Sequence, residues 1–117
     1  MWQSSFPARV YLAVGATDMR KQINSLSVLV QEGMELDPFS GGVFVFCNRR
    51  RTTVKALYWD RNGFCLWQKR LEKDRFRWPE TKEEVLTISP RELRWLLDGL
   101  ELLQRSAHRQ LQYSSVA

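Results

Sequence analysis

Chemistry-bearing side chains are scarce in this sequence. It has one histidine, His108, and two cysteines, Cys47 and Cys65. No imidazole-based metal cluster can be built from a single histidine. A disulfide scaffold needs more cysteines, and a thiol-ligated zinc site ordinarily needs a paired CxxC knuckle. Each cysteine sits inside an apolar run, so both are expected to be reduced thiols that pack as small hydrophobes. No stretch approaches the roughly 20 apolar residues of a membrane span. The first residues, Met1-Trp2-Gln3-Ser4-Ser5, lack the basic segment and apolar run of a secretory signal, so the expected location is the cytoplasm, with no membrane partner. Internal repeats, low-complexity tracts and the GxxxxGK[ST], GxSxG and HExxH motifs are likewise missing. No cofactor or metal site is expected.

What is present suits one folded domain. The chain has 117 residues, 44% of them hydrophobic, enough for one core and too apolar for a disordered chain. The expected division is a domain over residues 1–103, followed by a helical extension or frayed tail over 104–117. The net charge of +5 is unevenly spread. Residues 49–77 hold ten of the 18 basic side chains and three acidic ones, a net +7, while the rest of the chain carries −2. A basic middle between weakly acidic ends implies a polyanionic partner.

Residues 9–14, Arg-Val-Tyr-Leu-Ala-Val, read as a strand ended by Gly15. Thr17 is placed to cap a helix, with Asp18 in its first turn, and Met19, Ile23, Leu26, Val30 and Met34 supply one apolar face. Gly33 marks its expected end. After the turn-rich Asp37-Pro38-Phe39-Ser40-Gly41-Gly42, the run Val43-Phe44-Val45-Phe46-Cys47 predicts a strand covered on both faces. Val54–Trp59 and Phe64–Leu71 flank Asp60-Arg61-Asn62-Gly63, a hairpin signal. Arg75-Phe76-Arg77-Trp78 and Val85-Leu86-Thr87-Ile88 suggest short strands, the first an edge strand. Ser89-Pro90-Arg91-Glu92 is a capping box opening a second helix, with Leu93, Leu96, Leu97, Leu100 and Leu103 on its apolar face. Ala107 and Leu111 would prolong that stripe. The expected fold class is α+β: a mainly antiparallel sheet of about five or six strands, with two helices packed on one face.

The candidate site follows from charge. A three-residue hairpin loop sets Lys55 opposite Lys69, and a two-residue type I′ turn sets it opposite Arg70. Either register places two cations side by side, which a phosphate would turn from repulsion to attraction. Arg49, Arg50 and Arg51 form a loop with no evident packing role, and Arg75 and Arg77 add two more guanidinium forks matched to phosphate oxygens. Among the interleaved aromatics, Trp59 and Trp67 are candidates for base stacking or partner contact. Trp95, off the leucine stripe of its helix, is a candidate partner contact. Most tryptophans in so small a domain must be core. Asp18, Asp37, Asp60 and Asp74 each have a turn or helix-end role, and no pair has a spacing that demands a shared metal.

In order along the chain, Thr17-Asp18-Met19-Arg20-Lys21, Asp37-Pro38-Phe39-Ser40-Gly41, Val43-Phe44-Val45-Phe46, Arg49-Arg50-Arg51, Tyr58-Trp59-Asp60, Lys69-Arg70-Leu71-Glu72-Lys73 and Arg75-Phe76-Arg77-Trp78-Pro79 form a set of landmarks. Together they resemble the TnpB-type accessory proteins of the IS-66 group of bacterial insertion sequences, products of the middle reading frame. The resemblance runs from about Arg9 to Leu100. Asp74 departs from it, standing where such proteins commonly have glycine, and the tail after Leu103 is longer than usual. The resemblance implies a mobile-element protein needed for transposition beside a separate, larger transposase that carries the acidic catalytic residues; with no catalytic motif of its own, the chain is not expected to be an enzyme.

Three functions follow as expectations. The first is DNA binding, at the element ends, through Arg49, Arg50, Arg51, Lys55, Lys69, Arg70, Arg75 and Arg77. The second is an adaptor that docks on the transposase through the leucine-striped helix and Trp95 without touching DNA. The third is a metal-dependent nuclease, for which the sequence offers least. Whether the protein forms a homo-oligomer stays open.

Overall fold

The computed structural model describes residues 9–99. It contains β1 (Val10–Ala16), α1 (Ile23–Val28), β2 (Val43–Cys47), β3 (Thr53–Asp60), β4 (Gly63–Arg70), β5 (Val85–Ile88) and α2 (Pro90–Leu97). The strands form one sheet in the order β4-β3-β2-β1-β5. The class is α+β as expected, but the sheet is mixed: β1 and β2 run parallel, and the other neighbours are antiparallel. The parallel pair exists because α1 lies between β1 and β2 in the chain and carries it back across the sheet, as a parallel connection requires.

The two helices lie on opposite faces, not on one. Leu26 of α1 packs with Val30, Met34, Phe44, Phe46 and Leu57. Leu93, Leu96 and Leu97 of α2 pack with Val10, Leu12, Val43, Val45, Val54 and Ala56 on the other side. The reason is legible in β2, whose five residues are all buried. A strand apolar on both faces needs a cover on each.

The first helix starts later than its sequence suggests. The Thr17 N–H donates to the Cys47 carbonyl at 2.8 Å, prolonging the β1–β2 pairing, and Gln22 stands at the helix start with no side-chain cap. Asp18 instead closes a tight turn, accepting from the Arg20 N–H at 2.9 Å and from the Arg20 guanidinium at 2.7–3.1 Å. Beyond α1 the chain widens into a π-helical turn, Leu29–Gly33, in which the Met34 N–H reaches back to Leu29 O at 3.0 Å. The left-handed residue that ends it is Glu35, at φ 57, rather than Gly33. The Leu36 N–H then donates to Val30 O at 3.0 Å, a closure one residue wider than that of an α-helical C-terminus, as the π-helical turn before it requires.

The capping box on α2 forms as read: Glu92 N–H donates to Ser89 Oγ at 3.1 Å, and Ser89 N–H to Glu92 Oε1 at 2.9 Å. Arg75–Trp78 is not a strand but an extended strap. Its alternation does hold, with Phe76 and Trp78 buried in the α2-side core and Arg75 and Arg77 exposed. Leu100, Leu103, Ala107, Leu111, His108 and the proposed boundary at residue 103 lie outside the described residues.

Candidate nucleic-acid interface

The hairpin register differs from both expected ones. Asp60 pairs with Gly63, so the loop is Arg61-Asn62, and Lys55 faces Gln68. The turn is centred one residue early because Arg61, at φ 50, takes the left-handed position while Gly63 joins the strand. No cation pair therefore forms across β3 and β4; Lys69 faces Val54 and Arg70 faces Thr53.

Two of the expected phosphate ligands are spent internally. Lys55 is 3% exposed, and its Nζ donates to the Met19 and Lys21 carbonyls, each at 2.8 Å. It fastens the turn before α1 to the sheet and does not belong to the surface. Lys69 Nζ donates to Leu97 O at 2.9 Å, placing its charge at the carbonyl end of α2, where the helix dipole favours a cation.

The remaining arginines converge at one end of the sheet. Arg49 and Arg50 are exposed in the turn between β2 and β3. Arg51, at φ 63, folds back: its guanidinium reaches Asn48 O at 3.3 Å and Val14 O at 3.5 Å. It has a packing role that three consecutive arginines did not suggest. The strap docks on this turn through its backbone. Leu71 N–H donates to Thr52 O at 2.8 Å and Phe76 N–H to Arg51 O at 2.7 Å, while the Trp78 side chain, through Nε1, donates to Ala13 O of β1 at 3.1 Å. With Phe76 and Trp78 anchored inward, Arg75 and Arg77 must point outward.

The result is an open cleft of about 340 Å³ lined by Arg51, Lys73, Asp74, Arg75, Phe76 and Arg77. Lys73 was not singled out from sequence; its place in the short link before the strap was the available signal. Arg70 stands at the same end of the sheet, held by Glu72 at 3.1 Å in an exposed ion pair. Such a pair contributes little and leaves the guanidinium able to change partners. No group of three metal-ligating side chains occurs among the described residues.

The comparisons with known proteins point the same way as the landmarks in the sequence. The family described as IS66 Orf2 like protein matches residues 8–107. The chain belongs to this family. It is a family of accessory proteins associated with insertion sequences. Two proteins of Sinorhizobium fredii are similar: uncharacterized protein y4hO, 41% identical over 101 residues, covering 86% of this chain and 88% of the relative, and uncharacterized protein y4jC, 36% identical over 93 residues, covering 80% of each. No solved structure matches.

Elsewhere on this IS66 Orf2-like protein, the candidate tryptophans divide. Trp67 and Trp95 are half-buried, Trp67 packing against the α2-side core. Trp59 sits in a ring cluster with Phe39 and Phe64, at centroid separations of 5.0–5.2 Å. Phe39, 56% exposed, escaped the sequence reading, although an aromatic in a turn-rich break was a visible signal. The leucines of α2 that were to dock on a partner, Leu93, Leu96 and Leu97, are buried in the protein's own core. Both cysteines are free. Cys47 is buried, and burial pushes its thiol up to about 11, against the opposing pull of Arg51. No helix among the described residues is long and apolar enough to cross a membrane.

Proposed function

We propose that this insertion-sequence accessory protein binds the phosphate backbone of DNA, without catalysis, at the basic end of its sheet. Arg49, Arg50, Arg75 and Arg77 are the principal ligands; Arg75 and Arg77 line the cleft with Arg51 and Lys73, and Arg49, Arg50 and Arg70 stand at the same end of the sheet. The observation that carries the reading is the docking of the strap on the arginine turn. Two segments more than 20 residues apart in sequence present guanidinium groups around one open cleft. Guanidinium forks suit phosphate oxygens, and interactions of this kind give affinity and register rather than base preference. The transposase of the same element is the protein alongside which it would act.

A salt titration tests this. Removing one phosphate-neutralising cation should flatten the slope of log K against log salt by about 0.9 for duplex DNA. Replacing Arg49, Arg50, Arg75 and Arg77 by alanine should weaken binding and reduce the slope by about 2–4. An unchanged affinity and slope in that variant would remove the cleft from the site. With its leucines buried, the adaptor reading keeps only Trp95 and its neighbours as a surface on α2. Transposase capture that survives the arginine changes and fails in Trp95→Ala would restore it.

A further inference from the structure

A sheet with β4 at one end and β5 at the other has two edges of unequal character. The β5 edge is four residues long and follows Glu80, Lys82, Glu83 and Glu84, the charge-rich guard that natural edges carry. The β4 edge is eight residues long, pairs with β3 without a break in register, and carries no charge from Gly63 to Gln68. Phe64, Cys65, Leu66 and Trp67 are all half-buried. Among the described residues no strand lies beyond it. A regular, apolar, unguarded edge is a template for another strand.

The direction of its free hydrogen-bonding groups follows from one bond. The Leu71 N–H donates to Thr52 O on the β3 side. Inward- and outward-facing residues alternate in an antiparallel ladder. Residues 63, 65, 67 and 69 therefore bond to β3, while Phe64, Leu66, Gln68 and Arg70 turn their N–H and C=O groups outward.

We infer that β4 pairs with β4 of a second copy of this chain, antiparallel about a two-fold axis at Leu66. In this register Leu66 meets Leu66, Phe64 meets Gln68, and small Cys65 stands opposite large Trp67. Every outward N–H from Phe64 to Gln68 gains a carbonyl. The uncharged, apolar stretch centred on Leu66 selects a second copy of itself, and charge selects the direction. The basic end of each strand, where Arg70 is exposed, lands beside the other copy's hairpin, which carries Asp60, 59% exposed, with Arg61 at 3.9 Å. A parallel pairing would instead set the cationic ends together. The two sheets join into one of ten strands, with the basic ends at its opposite extremities. If those ends bind DNA as proposed above, one dimer holds two DNA segments.

The full chain in sedimentation velocity across the micromolar range should show a concentration-dependent doubling of mass. Gln68→Pro removes an outward N–H and no bond to β3, so the folded chain should lose the dimer while keeping its circular dichroism. A second variant does not depend on tolerating proline. In a Cys65→Ser background, Leu66→Cys places two thiols at a hydrogen-bonded pair, with Cα atoms about 5.5 Å apart, within disulfide range. Mild oxidation should convert it to a covalent dimer that the same change at exposed Glu83 does not give. A monomer at every concentration, a dimer indifferent to Gln68→Pro in a folded chain, or no crosslink at Leu66 would overturn the inference. Because these readouts contain no DNA, they fail or succeed independently of the binding reading.

Discussion

Lys55 is where a surface role and an internal one predict opposite results. Its ammonium makes two charge-assisted hydrogen bonds of 2.8 Å to backbone carbonyls and is 3% exposed. Bonds to a charged group contribute about 1.5–3 kcal/mol each, so a gross 3–6 kcal/mol is at stake in Lys55→Met. Against this, methionine removes the cost of holding an ammonium out of water, several kcal/mol. Met19 and Lys21 are half-buried, so water can reach their freed carbonyls after modest opening of the turn. The expected net loss is about 1–3 kcal/mol. In a domain of this size that lowers Tm by roughly 5–20 °C. The assay is thermal unfolding by circular dichroism, paired with a salt-series DNA titration at a temperature where both proteins are folded. Lys55→Met should lose stability and keep the DNA affinity and salt slope of the parent. A normal Tm with a flattened salt slope would refute the argument, because the ammonium would then be facing phosphate.

Ser89→Ala removes the hydroxyl half of the capping box and should cost about 1 kcal/mol in urea unfolding; no change would mean that the box does not hold α2. Cys47, with its thiol raised to about 11 by burial, should resist thiol reagents at pH 8 until the chain unfolds. Since the unfolded thiol ionises near its ordinary value of 9.0, this contribution to stability is complete below pH 9 and is lost as pH rises through 11, which alkaline denaturation of Cys47→Ala against the parent would show. Asp18, held at about 2 chiefly by its side-chain hydrogen bond to Arg20, should titrate in carboxyl NMR well below its ordinary 3.8 and climb back in Arg20→Ala. Its native-state contribution is present above pH 3.8 and lost as pH falls through 2.

Local patterns were the most legible part of the sequence. Ser89-Pro90-Arg91-Glu92 specified its own capping box because every partner lies within three residues. The run Val43–Cys47 declared a strand buried on both faces, and Phe76 and Trp78 alternated with Arg75 and Arg77 as an inward–outward strap must. The excess of cations over residues 49–77, the shortage of histidine and cysteine, and the family landmarks were also properties of the chain as written. What these could not reveal were the long-range partners. The parallel β1–β2 pairing, the helices on opposite faces and the hairpin centred on Arg61 are choices among locally equivalent arrangements.

The basic residues show this division most clearly. Sequence alone determined how many positive charges the middle of the chain carries, because composition needs no geometry. Only the tertiary structure decided their employment: Lys55 on two carbonyls 34 and 36 residues away, Lys69 at a helix end 28 residues away, and Arg51, Arg75 and Arg77 around one cleft. A charge is a local property of a side chain, whereas its partner is set by which segments the buried apolar faces bring together.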